Sequence, residues 1–540
     1  MPDQLTPAER YRSQYRHKVL ADYALEKAQQ QPDQVAVFLE QGPPVTFGSI
    51  VEEGRRLAAG LQQLGLGQGD VLSFQLPNWR EAVAIDIAAS LLGLVINPVI
   101  PIYRDRELAF ILQDTGARVM FIPESFRNFD YVAMLADLRP ELPALEHLVV
   151  VRGSDGHRDC LDYRNLLEHA DPACLSRAAV DPDAVKIVMY TSGTTGKPKA
   201  VRHSHNTLAR ALDNGCEGWG LGEGDVMLMP SPVTHVTGFV NGIELPFFSA
   251  AKSVFMERWD VDQAINLIQQ VGATACVSAT PFLQELVDRA AAQQLRLPSL
   301  RMFACGGAAV PPALIRRTHE VLENCRAFRV YGSTEAPLVT VGFQRIEEES
   351  LAAETDGRCH NWDVRILAED GQPLPCGADG EIVVAGPAMM LGYGDPAQTA
   401  EAMTEEGFFR TGDIGHLTSE GAIVITDRKK DIIIRGGENL SAREIEEVLY
   451  GHPDIQDVAV IAMPHQRLGE GVCACIVPAP DAPTLTLEQL KPFLADCKLA
   501  KQKWPERLEL VAELPRTASG KIRKDVLRQD LRLRLAAEQA

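Results

Sequence analysis

From about residue 70 to residue 330, short apolar runs alternate with longer amphipathic ones, and this alternation limits the possible folds more than any other feature. Segments 71–76, 119–122 and 148–151 read as buried strands, with helix-period segments at 79–92 and 105–115 between them. The pattern resumes with predicted strands at 226–229, 253–256, 274–277, 301–304 and 327–330. Helices are predicted between them at 236–249, 261–271, 279–293 and 311–324. Strand and helix in turn give largely parallel sheets with helices on both faces, an α/β fold. Segment 82–101 resembles a membrane span, but Asp86, Ser90, Asn97 and Pro98 interrupt it. A buried helix followed by a strand is the expectation there.

Around 356–426 the texture changes to short strands and Gly/Asp turns, with strands predicted at 364–366, 381–384 and 422–426. This suits a small β-rich subdomain. Asp427-Arg-Lys-Lys-Asp431 is a charged junction, and the domain boundary is placed at about 429. The reading is therefore a large N-terminal domain over 1–429 and a small α+β C-terminal domain over 430–540. In the latter, Ser441-Ala-Arg-Glu444 has capping-box form and opens a helix to about 450. Strands near 457–463 and 472–477 and a helix near 486–499 follow.

The chemistry gathers in loops. Residues 190–201, Tyr-Thr-Ser-Gly-Thr-Thr-Gly-Lys-Pro-Lys-Ala-Val, follow an apolar strand. Glycines let the backbone approach an anion, while hydroxyls and ammoniums supply donors, so this reads as a phosphate-holding segment, with a plain Gly/Ser/Thr turn between strands as the alternative. It is not the Walker loop: two residues, not four, separate Gly193 from Gly196, and Pro198 follows Lys197. Cys305-Gly-Gly-Ala-Ala-Val-Pro311 and Tyr331-Gly-Ser-Thr-Glu335 each follow a predicted strand, where open α/β sheets bind ligands. Tyr331 offers a stacking face, Thr334 a hydroxyl and Glu335 a hard oxygen suited to Mg²⁺ beside phosphates. Taken alone, Glu335 reads as a first-turn helix carboxylate. Phe408-Phe-Arg-Thr-Gly-Asp413 reads alone as a Gly-Asp turn, yet one carboxylate can accept both hydroxyls of a ribose. Arg428 offers a second contact for ribose or phosphate. In Pro515-Arg-Thr-Ala-Ser-Gly-Lys521-Ile-Arg-Lys, a preceding glycine and a following isoleucine suggest a positioned lysine on a turn.

In order and spacing, over about residues 20–526, these segments resemble the adenylate-forming enzymes: acyl-CoA synthetases, peptide-synthetase adenylation domains and beetle luciferases. Ala279-Thr-Pro-Phe-Leu283, Arg428–Asn439 and Pro515–Lys521 look most like short- and medium-chain fatty acyl-CoA synthetases. The resemblance implies ATP, Mg²⁺ and coenzyme A. It implies that residues 191–199 hold the β- and γ-phosphates, through Thr191, Ser192, Gly193, Thr194, Thr195, Gly196 and Lys199. Gly307, Ala308 and Tyr331, with Gly332 and Ser333 beside them, frame adenine; Thr334 touches the α-phosphate and Glu335 binds Mg²⁺. Asp413 and Arg428 hold ribose, and Lys521 bridges the acyl carboxylate and α-phosphate. His235, Gly238 and Gly306 belong to the acyl pocket. Lys430 is the hinge, and Gly436 and Gly437 line the pantetheine tunnel. Two positions depart from the family pattern: Ala200 and Asp427 stand where glycine is more usual.

The implied reaction joins an acid to CoA through an acyl-AMP. The stretch Thr234-His-Val-Thr-Gly-Phe-Val lacks the Asp that α-amino acid adenylation domains use to hold an ammonium, so an acid with an uncharged tail is expected. Gly238 and Gly242 are expected to leave room along one helix face. A short- or medium-chain fatty acid leads; an alicyclic or aromatic acid, or loading of a carrier protein's phosphopantetheine, is the alternative. A non-catalytic adenylate binder is a third reading, opposed by intact Glu335, Asp413 and Lys521. The net charge of −20 argues against a nucleic-acid partner. Eleven cysteines without a CxxC pair fit reduced thiols, and a cytoplasmic enzyme, monomer or homodimer, without a transmembrane segment is expected.

Overall fold

The computed structural model describes residues 10–539, apart from 154–155, 158, 192–197, 308–309, 437, 466, 481 and 518–519. Two large sheets form the body. One has seven strands in the order Arg326–Val330, Met302–Gly306, Ala275–Ser278, Val226–Met229, Lys252–Phe255, Val35–Leu39 and Val45–Thr46. Only its last pair is antiparallel. The other has eight strands, with Gly392–Tyr393, Lys199–Ser204 and Val185–Thr191 antiparallel at one edge and five parallel neighbours beyond them. The largest apolar core lies between these sheets, around Phe47–Gln63 and the almost wholly buried Arg80–Leu92. The apolar 82–101 segment is thus a core helix and the strand Val95–Pro98. Among the described residues no helix is long and apolar enough to cross a membrane.

Local chemistry sets the element ends. Asp260 accepts from the Gln263 N–H to cap Val261–Val271, and Gly272, at φ +65°, ends it in a left-handed turn. Ser441 does the same at the start of Ala442–Leu449, accepting from Glu444 N. The predicted β-rich part is a four-stranded antiparallel sheet of Asp363–Leu367, Gly380–Ala385, Phe409–Leu417 and Ile423–Arg428. Asp413 therefore sits within a strand rather than on a simple turn.

The expected single helix over 236–249 is a correction. It is helical over Val236–Gly238, π-wound over Phe239–Glu244 and helical again over Leu245–Ser249. Pro246 has no N–H to give the carbonyl of Gly242 four residues earlier, and Ser253 Oγ donates to that carbonyl instead at 2.8 Å.

Beyond Arg428, a five-stranded sheet and its helices have their own apolar cores. None of the core residues there precedes Ile433. The junction is hydrogen-bonded all the same. Asp427 accepts from Ala442 N at 2.6 Å, Ser441 Oγ donates to Thr426 O at 2.6 Å, and Arg443 pairs with Asp356 at 3.2 Å. Asp427, the departure from glycine, thus shares the N-terminal cap of Ala442–Leu449.

Candidate active site

The strands Met302–Gly306 and Arg326–Val330 end side by side, Gly306 opposite Val330. A Cβ on Gly306 would lie 2.5 Å from Val330 O, so only glycine lets these ends close up. Their carboxyl ends open onto a cavity of about 120 Å³. Its walls include His235, Gly306, Gly307, Tyr331, Gly332, Ser333 and Thr334 from the large body, and Lys521 from beyond the junction. Ala211, Trp219, Val240, Asn241 and Leu338 extend the wall on the side of the π-wound helix.

The 331–335 loop is braced from several sides. Tyr331 is buried, and its hydroxyl donates to Asp413 Oδ2 at 2.6 Å, while Arg428 Nε lies 3.1 Å from Asp413 Oδ1. Both oxygens of Asp413 thus have partners already. Glu335 lies in a turn, not in a first helical turn. Its Oε1 accepts from the Tyr393 hydroxyl at 2.9 Å, and its backbone O accepts from Met390 N at 2.9 Å. Its Oε2 has no hydrogen-bond partner among the described residues. A carboxylate oxygen without a partner among the described residues suits Mg²⁺, which takes one or two carboxylates and completes its shell with phosphates and water. His203, fully buried, shares a 2.7 Å hydrogen bond with Thr334 O, and burial pushes its pKa down to about 4. That keeps the ring neutral, with the Nε2 proton facing the carbonyl.

Thr191 and Lys199 pair across the antiparallel ladder, so the described ends of the glycine-rich segment lie side by side. Lys199 Nζ sits 4.9 Å from the centre of the Tyr393 ring. Tyr393 thereby touches both Glu335 and Lys199. Neither it nor His203 was singled out from sequence. Tyr393 stands between two glycines, a weak signal by itself; its strand matters only because Tyr393 pairs with Val201.

Lys521 stands on a turn closed by Thr517 N donating to Lys521 O at 2.7 Å and by Lys521 N donating to Thr517 Oγ1 at 3.1 Å. Gly520, at φ +83°, makes the turn possible and packs it on the large body: a Cβ there would be 3.2 Å from the Ala279 Cβ. Withdrawal from water, then the nearby Arg428 charge, push the Lys521 pKa down to about 8 against the opposing pull of Asp413 and Glu335. His235 starts the helix Val236–Gly238, with Nδ1 accepting from Thr237 N at 3.3 Å, which leaves the proton on Nε2. Burial first, and Lys521 second, bring its pKa down to about 4, so it faces the cavity as neutral imidazole.

Gly238 is a second correction. It does not widen the cavity: a Cβ there would fall 2.1 Å from Pro232 O, so the glycine serves close backbone packing. Gly242 likewise faces Met229 and Phe255, with a Cβ 3.0 Å from Met229 Cγ. Gly436 lies in the hairpin turn after Ile433–Arg435, away from the cavity, with its N–H on Leu468 O at 2.8 Å. Lys430 is exposed in the junction turn. Ser192, Gly193, Thr194, Thr195, Gly196, Ala308 and Gly437 lie outside the described residues.

The AMP-binding enzyme family matches residues 25–394, and the AMP-binding enzyme C-terminal domain matches 444–521. The chain belongs to the AMP-binding enzyme family. A medium-chain fatty-acid–CoA ligase of Escherichia coli is 35% identical over 99% of this chain and 95% of its own length. A salicylyl-CoA synthase / salicylate adenylyltransferase of a Streptomyces species is 31% identical over 97% of this chain and 96% of its own. ATP-bound MatB from Rhodopseudomonas palustris shares the fold with TM-score 0.83 at 26% identity, covering 94% of this chain and 98% of that one. The protein is thus an adenylate-forming ligase, and enzymes of this class that make CoA thioesters use ATP, Mg²⁺ and CoA. For an AMP-binding enzyme, the convergence of Lys521 with the 306–307 and 331–335 loops at one cavity is the central geometric fact.

Proposed function

We propose that this enzyme activates a short- or medium-chain carboxylic acid as its acyl-AMP and transfers the acyl group to CoA. The carrying observation is that Lys521 and His235 wall the same cavity as Thr334. In this reading the acid's tail runs toward Trp219 and Leu338, and its carboxylate meets the α-phosphate at Lys521. The carboxylate oxygen attacks the α-phosphorus and pyrophosphate leaves. Lys521, when charged, holds the two anions together against their repulsion and stabilises charge building at phosphorus. Thr334 donates to the α-phosphate. Asp413 and Arg428 hold ribose, the former exchanging its Tyr331 and Arg428 partners for ribose hydroxyls. Tyr331, with Gly332, Ser333 and Ala308, frames adenine, and Thr191 to Lys199 hold the outgoing phosphates. Mg²⁺ bound at Glu335 would shield the phosphate charge.

A carboxylate is a poor electrophile, so activation must precede thioester formation. With the boundary at about 429, the part beyond it then turns at Lys430 and brings Gly436 and Gly437 toward the cavity, where the CoA thiol attacks the acyl carbon and AMP leaves. An aryl acid is the second reading: Thr237 and Asn241 in the cavity wall offer polar groups that a ring hydroxyl would use. The test is a panel of straight-chain, alicyclic and aryl acids scored by AMP formation with CoA. The first reading expects activity that depends on CoA and peaks among short to medium chains. AMP formation with a carrier protein but not with free CoA would overturn it.

A further inference from the structure

Three ionisable side chains, all outside the reacting groups, meet in the core beside the cavity. Lys186 is 3% exposed, Asp86 0% and Glu244 1%. Lys186 Nζ lies 3.2 Å from Asp86 Oδ1 and 3.3 Å from Oδ2, and it also pairs with Glu244 Oε1. The ring of Phe239 lies under the same ammonium, 5.5 Å from it. The three groups come from three elements: Asp86 from the buried helix Arg80–Leu92, Lys186 from Val185–Thr191, and Glu244 from the last residue of the π-wound segment.

Stability is a poor account of this arrangement. Taking ions out of water costs about as much as their pairing returns, and apolar replacements of similar volume are often neutral or better. Here Glu244 Oε2 still has no hydrogen-bond partner among the described residues. What the triad does have is leverage. Val236, Thr237, Val240 and Asn241 wall the cavity, whereas Phe239 and Ile243 are fully buried away from it. Each residue added to a helical turn rotates the upstream part of the helix by about 100° relative to the downstream part. A π-wound segment therefore holds its facing only if both ends are held. The upstream end is packed through Gly238 against Pro232, and the downstream end is held by Glu244 on Lys186. The strand of Lys186 runs on to Thr191, so the anchor refers the acid wall to the edge of the phosphate segment.

We propose that Asp86, Lys186 and Glu244 form a positioning triad that sets acid specificity, fixing the rotation of the 236–249 helix and hence which side chains wall the cavity, without touching substrate. This rests on the reading that the acid occupies that cavity. The test compares full-length enzyme with the triple variant D86N/K186M/E244Q, which removes the charges at nearly constant shape. The readouts are kcat/KM over the acid panel, KM for ATP and the melting temperature. The ranking of acids is expected to change, with the best acid losing about tenfold or more in kcat/KM, the scale on which apolar pockets discriminate. KM for ATP is expected to stay within about twofold. An unchanged ranking with a lowered melting temperature would make the triad merely structural and sink the proposal. Should the triple variant not fold, E244Q alone, with its shape kept and its charge gone, is put through the same three measurements: a changed ranking supports the triad and an unchanged one sinks it. N241A separates this proposal from the reading beneath it. If N241A reorders the acids and the triad variant does not, the cavity reading stands and the triad falls; if neither does, both fall.

Discussion

At the scale of single residues, the pH dependence of adenylation follows from Lys521. Its pKa is brought down from the ordinary 10.5 to about 8, so the cation is complete below that pH and lost as pH rises through it. If the cation is what joins acid and phosphate, kcat/KM for acyl-AMP formation falls above about pH 8. Bound ATP adds anions that favour the charged form, so the corresponding limb in kcat lies at higher pH. Pyrophosphate release measured from pH 6 to 10 checks both limbs; coincident limbs would remove Lys521 as their source. His235, with its pKa near 4, adds no limb in that range. Glu335→Ala is expected to lower adenylation by about a hundredfold or more while the melting temperature holds, through loss of charge shielding at phosphate. Near-normal pyrophosphate release at ordinary Mg²⁺ would refute the role.

At the scale of elements, the sequence was most readable where local chemistry decides. The sequence places the helices at 105–115 and 261–271 with their observed bounds, because the apolar period and the stopping glycines, Gly116 and Gly272, are local to each segment. The π-wound stretch was not readable, because its cause is shared between Pro246 and Ser253, whose hydroxyl reaches it only once the next strand is in place. The brace around the 331–335 loop was hidden for the same reason. Tyr393 lies 58 residues from Glu335, and His203 lies 131 from Thr334. Motif spacing pointed to the loops that meet at the cavity, but not to the side chains that hold them. Gly238 shows the opposite error: a glycine taken for vacant space is instead a contact between backbones. Gly238→Ala should therefore destabilise the enzyme by about 1–3 kcal/mol or more, as overpacking does. Differential melting checks this; an unchanged melting temperature with a shifted acid profile would restore the room-making role.

At the scale of the whole molecule, Lys521 and the Gly436 turn lie on the same part beyond Arg428, yet only Lys521 reaches the cavity. Lys521→Ala is expected to abolish acyl-AMP formation and largely spare thioester formation from supplied acyl-AMP. Lys430→Pro, by fixing φ near −65° at the turn, is expected to spare pyrophosphate release and block transfer to CoA. Assaying each half-reaction in each variant decides, since equal loss of both halves in both variants leaves no reason for a turning part. If that part turns, Asp427 biases where it rests. Its carboxylate caps a helix on the far side of the junction, so a turn at Lys430 that separates the two would strip that cap. A cap is worth about 1 kcal/mol, which is roughly a fivefold bias in favour of the arrangement that keeps it. The empty enzyme should then wait, most of the time, ready for acid and ATP rather than for thiol. Asp427→Gly should weaken that bias without abolishing it, because Ser441 Oγ on Thr426 O and Arg443 on Asp356 also cross the junction; the first half-reaction should slow by about twofold or less, and the second should run as fast or faster. If the part beyond Arg428 turns as proposed, the aspartate weights the resting enzyme toward the arrangement that receives acid and ATP.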